Sequence, residues 1–149
     1  EGSRLTHDQT RYMFETNTIG VENEVLNVDD VIETSNHFRC IDLIIDHAAS
    51  MLSEHFIKEL HHILKQSTMD SSLAWFAVGD YKKRANVVGG RETAKPKEVA
   101  SRMKILLSEY EAKTDITIND IIRFHYEFER IHPFQDGNVP LRYQQQIAA

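Results

Sequence analysis

A histidine, an aspartate and a glycine-containing turn stand close together near the end of the chain, in the run His132-Pro133-Phe134-Gln135-Asp136-Gly137-Asn138. An imidazole that titrates near neutrality can take the proton from a hydroxyl. A carboxylate is a hard oxygen ligand suited to magnesium. A glycine-containing turn can aim backbone N–H groups at a phosphate. The types and spacing are thus those needed to activate a hydroxyl, hold magnesium and cradle phosphate. Each part also has an ordinary reading, since a lone loop histidine is more often structural and Asp-Gly-Asn is a common turn. The residues alone leave the chemistry open.

Groups of this kind need rigid supports, and the sequence supplies them mostly as helices. Directly upstream, Ile118, Ile121, Phe124, Phe128 and Ile131 repeat at helical spacing. Thr117 is placed to cap that helix, and Pro133 discourages helix in the residue before it. Working back, Pro96 stands where a first helical residue belongs, followed by Val99, Met103, Leu106, Leu107 and Tyr110. Ser53 is an N-cap for a helix ending near Ser67, with Phe56, Ile57, Leu60, Ile63 and Leu64 as its core stripe. Asn27, with Asp29 and Asp30 in the first turn, starts a long helix expected over Val28 to Leu52. A weakly periodic first helix is expected over Leu5 to Ile19, closed by a turn at Gly20 and Glu22-Asn23-Glu24. Between Phe76 and Val88 apolar residues flank a basic centre, and Gly89-Gly90 closes the segment, which suits a short hairpin or flap. The expected architecture is an all-α bundle with one small β-hairpin, in a single domain over residues 1–149.

Composition narrows the function. The 149 residues carry a formal net charge of −6 and 41% hydrophobic content, which fits one soluble domain. The basic residues are scattered, with Lys82, Lys83 and Arg84 the densest cluster, so no nucleic-acid surface is expected. No apolar stretch is long enough to span a bilayer, and no secretory signal is visible, so no membrane partner and a cytoplasmic location are expected. Glu1-Gly2-Ser3 carries no initiator Met, as in a processed or recombinant end. The single cysteine, Cys40, excludes an internal disulfide and sits in an apolar stretch as a packing residue. His61 and His62 are adjacent and would point about 100° apart on a helix, so packing at the surface or core edge is expected rather than chelation. Trp75 is expected as a core anchor.

The run beginning at His132 resembles the signature of the Fic family, His-x-Phe-x-Asp/Glu-Gly-Asn-Gly-Arg-x-x-Arg, and His125-Tyr126-Glu127-Phe128-Glu129-Arg130-Ile131 resembles the helix before it. The resemblance implies protein adenylylation, in which AMP moves from ATP to a protein hydroxyl with magnesium present. By position, His132 would be the general base and Phe134 would anchor the loop in the core. Asp136 would hold the magnesium that bridges the α- and β-phosphates, and Gly137 and Asn138 would belong to the anion-binding turn. The hydroxyl oxygen would attack the α-phosphorus in line and pyrophosphate would leave. Other phosphate-containing donors occur among such proteins.

The match then departs from the pattern. Val139-Pro140 stand where Gly-Arg is expected, and Tyr143 stands at the second arginine position, with Arg142 one place out of register. Those arginines act on nucleotide phosphates in the family, and no neutral side chain replaces a guanidinium. Either the chain is altered and shortened here, or residues are missing between Asn138 and Val139. The alternative reading is therefore a catalytically inactive Fic-like domain that binds or regulates.

Two further stretches share the resemblance. Thr18-Ile19-Gly20-Val21-Glu22-Asn23 resembles the Fic inhibitory pattern, Ser/Thr-x-x-x-Glu-Gly/Asn, in the subgroup that carries it N-terminal on the same chain. Residues 1–27 would be an inhibitory segment with Thr18, Glu22 and Asn23 as its functional residues. Glu22 would take the guanidinium that otherwise binds the γ-phosphate. Gly79 to Gly90 resembles the Fic flap, a hairpin within 76–90 that docks a target by strand addition, with Tyr81, Lys82, Asn86 and Val87 as docking residues. The implied partner is a protein substrate, self-modification included, and a homodimer stays open because some relatives regulate themselves through dimers.

Overall fold

The computed structural model describes residues 5–20 and 25–138. Five α-helices account for most of these residues: α1 (His7–Thr16), α2 (Val28–Asp46), α3 (Glu54–Lys65), α4 (Pro96–Glu111) and α5 (Ile118–Ile131). Two short strands, β1 (Val87–Val88) and β2 (Arg91–Glu92), pair antiparallel between α3 and α4. The fold is all-α with a small hairpin, as the sequence implies.

The helix starts are chemically marked. Asn27, Ser53 and Thr117 each accept a backbone N–H in the first turn of α2, α3 and α5, and Pro96 opens α4. Thr6 and Gln9 form a reciprocal capping box on α1. α1 is shorter than its expected span, because Asn17 turns left-handed at φ 53° and donates its N–H to Met13 O, ending the helix. α2 likewise stops at Asp46 rather than at Leu52. There His47 leaves the helical conformation, and turns from Ile45 to Ala48 and from His47 to Ser50 bring the chain round to Ser53. That reversal lets α3 pack back on α2.

α2 packs on α3, α4 on α5, and α1 rests on α2, with α3 touching α4. The core between them includes Ile57, Leu60, Val99, Met103, Phe124 and Phe128. Cys40 is buried in it, with its thiol against Leu60 O, and burial pushes the thiol pKa up to about 12. Asn36, also buried, donates both to Leu64 O and to Gln66 O, satisfying carbonyls at the end of α3. Phe14 meets Phe38 edge-on at 5.1 Å, which fixes α1 on α2. No helix among the described residues is long and apolar enough to cross a membrane.

The hairpin lies further along the chain than expected. Gly89 and Gly90 are its two-residue tip, with φ of 56° and 77°, rather than its closing end. Positive φ at both central positions is what a tight hairpin turn demands, and glycine meets it without strain. The segment before it, Phe76 to Asn86, runs instead as turns packed against the core and the C-terminal end of α5.

Candidate active site

α5 delivers the chain to His132. The amphipathic face of α5 buries Ile121, Phe124, Phe128 and Ile131, so its last turn is fixed in the bundle. His132 is the C-cap: it turns left-handed, at φ 48° and ψ 67°, and donates its N–H to Phe128 O at 2.8 Å. A non-glycine residue in that region is strained and needs its surroundings to hold it. The ring is half-buried and Nδ1 is enclosed without a hydrogen-bond partner among the described residues. Burial lowers the His132 pKa. Glu129 and Asp136 pull it up and Lys82 presses it down, leaving it below its ordinary value.

The loop beyond His132 is closed by its own side chains. Phe134 is fully buried and stacks on the His61 ring, with centroids 4.0 Å apart and planes within 7°. Asn138, also buried, accepts the Phe134 N–H at 2.9 Å and donates to Phe134 O at 3.0 Å. One side chain thereby bridges both ends of the turn. Gly137 has φ 73°, and a Cβ there would meet Leu64 Cδ2 at 3.2 Å and Lys65 Cδ at 3.3 Å. Both the backbone conformation and the approach to α3 call for glycine at this position.

Two residues of α3 fasten this loop, and sequence reasoning missed both. His61 has no exposed surface. Its Nδ1 accepts the Gly79 N–H at 2.9 Å, which makes Nε2 the protonated nitrogen, donating to Asp136 O at 3.1 Å. Burial lowers its pKa to about 4, so it is neutral at physiological pH. The expectation of surface or core-edge packing is therefore corrected: His61 is a fully buried connector between the 79 turn and the site loop. Lys65, 2% exposed, places Nζ 2.7 Å from Asp136 Oδ2 and 2.6 Å from Glu33 Oε1 on α2. Burial opposes ionisation of Asp136, but the Lys65 hydrogen bond and charge, with the Gly137 N–H, hold it below the usual carboxylate range. The apolar spacing of α3 gave these two positions no separate signal.

The segment 81–86 lies along the other side of the loop. Lys82 N–H donates to Pro133 O at 2.8 Å, Arg84 N–H to Gln135 Oε1 at 3.2 Å, and Asn86 Nδ2 to Phe134 O at 3.3 Å. Tyr81 and Lys82 are buried, Asn86 is partly buried and Val87 is exposed. Trp75 is half-buried under the Arg84 guanidinium at 4.0 Å, and its neighbour Phe76 is the core anchor instead. The structure thus gathers His132, Phe134, Asp136, Gly137, Asn138, Tyr81, Lys82 and Asn86 at one end of the bundle. Thr18 is in the turn after α1, where its hydroxyl meets that of Thr16 at 2.7 Å. Glu22 and Asn23, like Val139, Pro140 and Tyr143, lie outside the described residues.

A cavity of about 650 Å³ opens at the other end of the bundle, lined by residues such as Ile44, Met51, Phe56, Tyr110 and Ile116. It contains none of the motif residues, so size alone does not mark the chemistry. Among the described residues no group of three or more His, Cys, Asp or Glu side chains is placed to hold a metal ion.

A family model described as Fic/DOC family matches residues 51–140. The fold is similar to that of a Fic domain containing signaling protein from Bacteroides thetaiotaomicron, with a TM-score of 0.79 and 26% identity over 99% of this chain and 55% of that one. It is also similar to a Fic family protein from Desulfovibrio desulfuricans, with a TM-score of 0.76 and 23% identity over 98% of this chain and 43% of that one. The chain therefore spans about half the length of these solved proteins. No curated protein matches it.

Proposed function

Because the chain belongs to the Fic/DOC family, whose model covers more than half of it, we propose that it is a protein adenylyltransferase held in check by its own N-terminal segment. The observation that carries this reading is the prebuilt loop 132–138. A strained, half-buried His132 with a lowered pKa leads into a turn that Asn138 closes on itself and that presents the Asp136 carboxylate.

His132, neutral near pH 7, takes the proton of a target hydroxyl. That oxygen forms a bond to the α-phosphorus of ATP as the bond from the α-phosphorus to the bridging oxygen breaks, and pyrophosphate leaves with the electron pair. Little covalent work falls to the protein beyond aligning these groups and stabilising charge. The residues present fit magnesium, which typically uses one or two carboxylates and completes its shell with water and substrate phosphate oxygens. Asp136 is the residue that would hold it: Oδ2 is on Lys65, yet the side chain is 48% exposed. Magnesium bound there would neutralise phosphate charge.

The hairpin supports docking of an extended target segment. Val87 and Val88 are 64% and 44% exposed, and among the described residues each strand has one partner, which leaves an edge for strand addition. The acceptor hydroxyl belongs to another protein or to this chain. Glu22 is proposed as the inhibitory carboxylate, on the motif resemblance alone.

A specific observation favours the second reading, an inactive Fic-like binding module: Pro140 and Tyr143 occupy the places of the family's phosphate-binding arginines. The test is transfer of label from α-³²P-ATP with magnesium, to this protein and to proteins of a cell extract. It compares the wild type, Glu22→Gly and His132→Ala. Label that rises in Glu22→Gly and vanishes in His132→Ala is the expected result. No label in wild type or in Glu22→Gly refutes the transferase, and ATP binding by calorimetry in the same samples would then support the module.

A further inference from the structure

Lys82 is 2% exposed and is paired with no carboxylate among the described residues. Its Nζ is surrounded by uncharged acceptors: Asn86 Oδ1 at 2.8 Å, Thr93 Oγ1 at 2.6 Å and Ile131 O at 3.3 Å. A buried ammonium satisfied only by dipoles is a costly arrangement, and an apolar residue of similar length would avoid the cost. A role in gripping the flap alone would be served by a neutral donor. What distinguishes this position is where its bonds go. The ammonium holds the carbonyl of Ile131, the residue before His132, while its backbone N–H holds the carbonyl of Pro133, the residue after it, at 2.8 Å.

We propose that Lys82 is a positioning residue for His132: it grips the main chain on both sides of that histidine and sets a fixed positive charge beside it. The grip accounts for how His132 is held in its left-handed conformation, which local sterics disfavour. The charge has a second effect. Burial lowers the His132 pKa first, and the Lys82 charge adds to that lowering, against Glu129 on α5 and Asp136 in the loop, which raise it. Among the described residues these are the charged groups that act on the ring. Burial brings Lys82 itself down to about 8, so it is still largely protonated at pH 7 and can exert this field. A base that must be neutral to accept a proton is thereby kept neutral at physiological pH. The inference places Lys82 behind the active site rather than on the docking surface, and it rests on the reading of His132 as the base.

The test reads His132 directly and needs no nucleotide or activity. The titration of the His132 ring is followed by NMR of its Cε1–H signal, identified by its absence in His132→Ala. The variants are Lys82→Arg, Lys82→Gln and Lys82→Met, each checked for folding by circular dichroism. Lys82→Gln keeps a donor toward Ile131 O but removes the charge, and should raise the His132 midpoint by about half a pH unit to one unit. Lys82→Met should raise it too, and Lys82→Arg, which keeps charge and donors, should leave it near wild type. An unchanged midpoint in folded Lys82→Gln or Lys82→Met overturns the proposal. So does failure of both neutral variants to fold, which would make Lys82 a core-stabilising residue only. Absence of AMP transfer in both the wild type and Glu22→Gly would overturn the transferase reading and leave this titration result standing.

Discussion

Replacing His61 by phenylalanine should make the protein less stable at neutral pH and yet close most of the gap in acid. The substitution keeps an aromatic ring against Phe134, where the present stacking distance is 4.0 Å. It removes the acceptor for Gly79 N–H and the donor to Asp136 O. Leaving buried polar groups unpaired costs about 1–3 kcal/mol each, so about 2–6 kcal/mol is expected at pH 7.5. The wild type carries its own acid liability at the same position. Folded His61 titrates at about 4, below the ordinary 6.5. Between those values the unfolded chain binds the extra proton and the folded one does not, so stability falls as pH falls. At about 1.4 kcal/mol per pH unit, the wild type loses about 3 kcal/mol between pH 6.5 and 4 through this residue. The contribution is complete above 6.5 and gone below 4. His61→Phe has nothing to protonate there, and groups common to both proteins cancel in the comparison to the extent that they are independent of residue 61. Urea denaturation of both proteins at pH 7.5 and pH 4.5, followed by circular dichroism, measures the gap. A gap that stays the same at both pH values would refute the neutral, doubly bonded histidine inferred here.

Lys65→Met should cost about 2 kcal/mol in urea at neutral pH, less than a fully buried pair because Glu33 and Asp136 are 30% and 48% exposed and partly screened. Because the Asp136 pKa is depressed in the fold, this stabilisation is present above its unfolded value and lost as pH falls through its folded one. The penalty should therefore shrink below pH 4, and a penalty under half a kcal/mol at pH 7 would show that the ion-pair cluster contributes little. Gly137→Ala should cost about 1–2 kcal/mol in thermal unfolding, from its φ of 73° and the Cβ approach to Leu64. Wild-type stability in that variant would mean the turn can relax.

What was legible in the sequence was whatever depends on neighbours along the chain. Asn27, Ser53, Pro96 and Thr117 announce helix starts because capping is satisfied within a turn of the helix. The motif His132 to Asn138 was readable for the same reason, as Asn138 bonds a residue four places away. The end of α2 was misplaced because Leu43 to Leu52 keeps an apolar character while the chain turns at His47. The hairpin was misplaced because two glycines mark either an end or a tip, and only the pairing of Val88 with Arg91 decides it. His61 and Lys65 were invisible as site residues because their partners lie 75 and 71 residues away. A buried lysine at the end of an amphipathic helix is the signal that tertiary contact alone explains.

The same long-range bonds bear on the order in which the molecule assembles. α2 with α3, and α4 with α5, are antiparallel neighbours that can meet early at small cost in chain entropy. The site is otherwise: Lys82 reaches Ile131 across 49 residues, Arg84 reaches Gln135 across 51, and His61 reaches Asp136 across 75. Each bond closes a long loop, at a cost in chain entropy that the local helix pairings do not carry. On sequence separation alone the 132–138 loop is expected to be completed after the bundle, and a partly unfolded chain that keeps its helical hairpins would lack the assembled loop. The transferase chemistry proposed for this loop would then be withheld from an unfinished chain, which is a consequence of how far apart in sequence its supports lie.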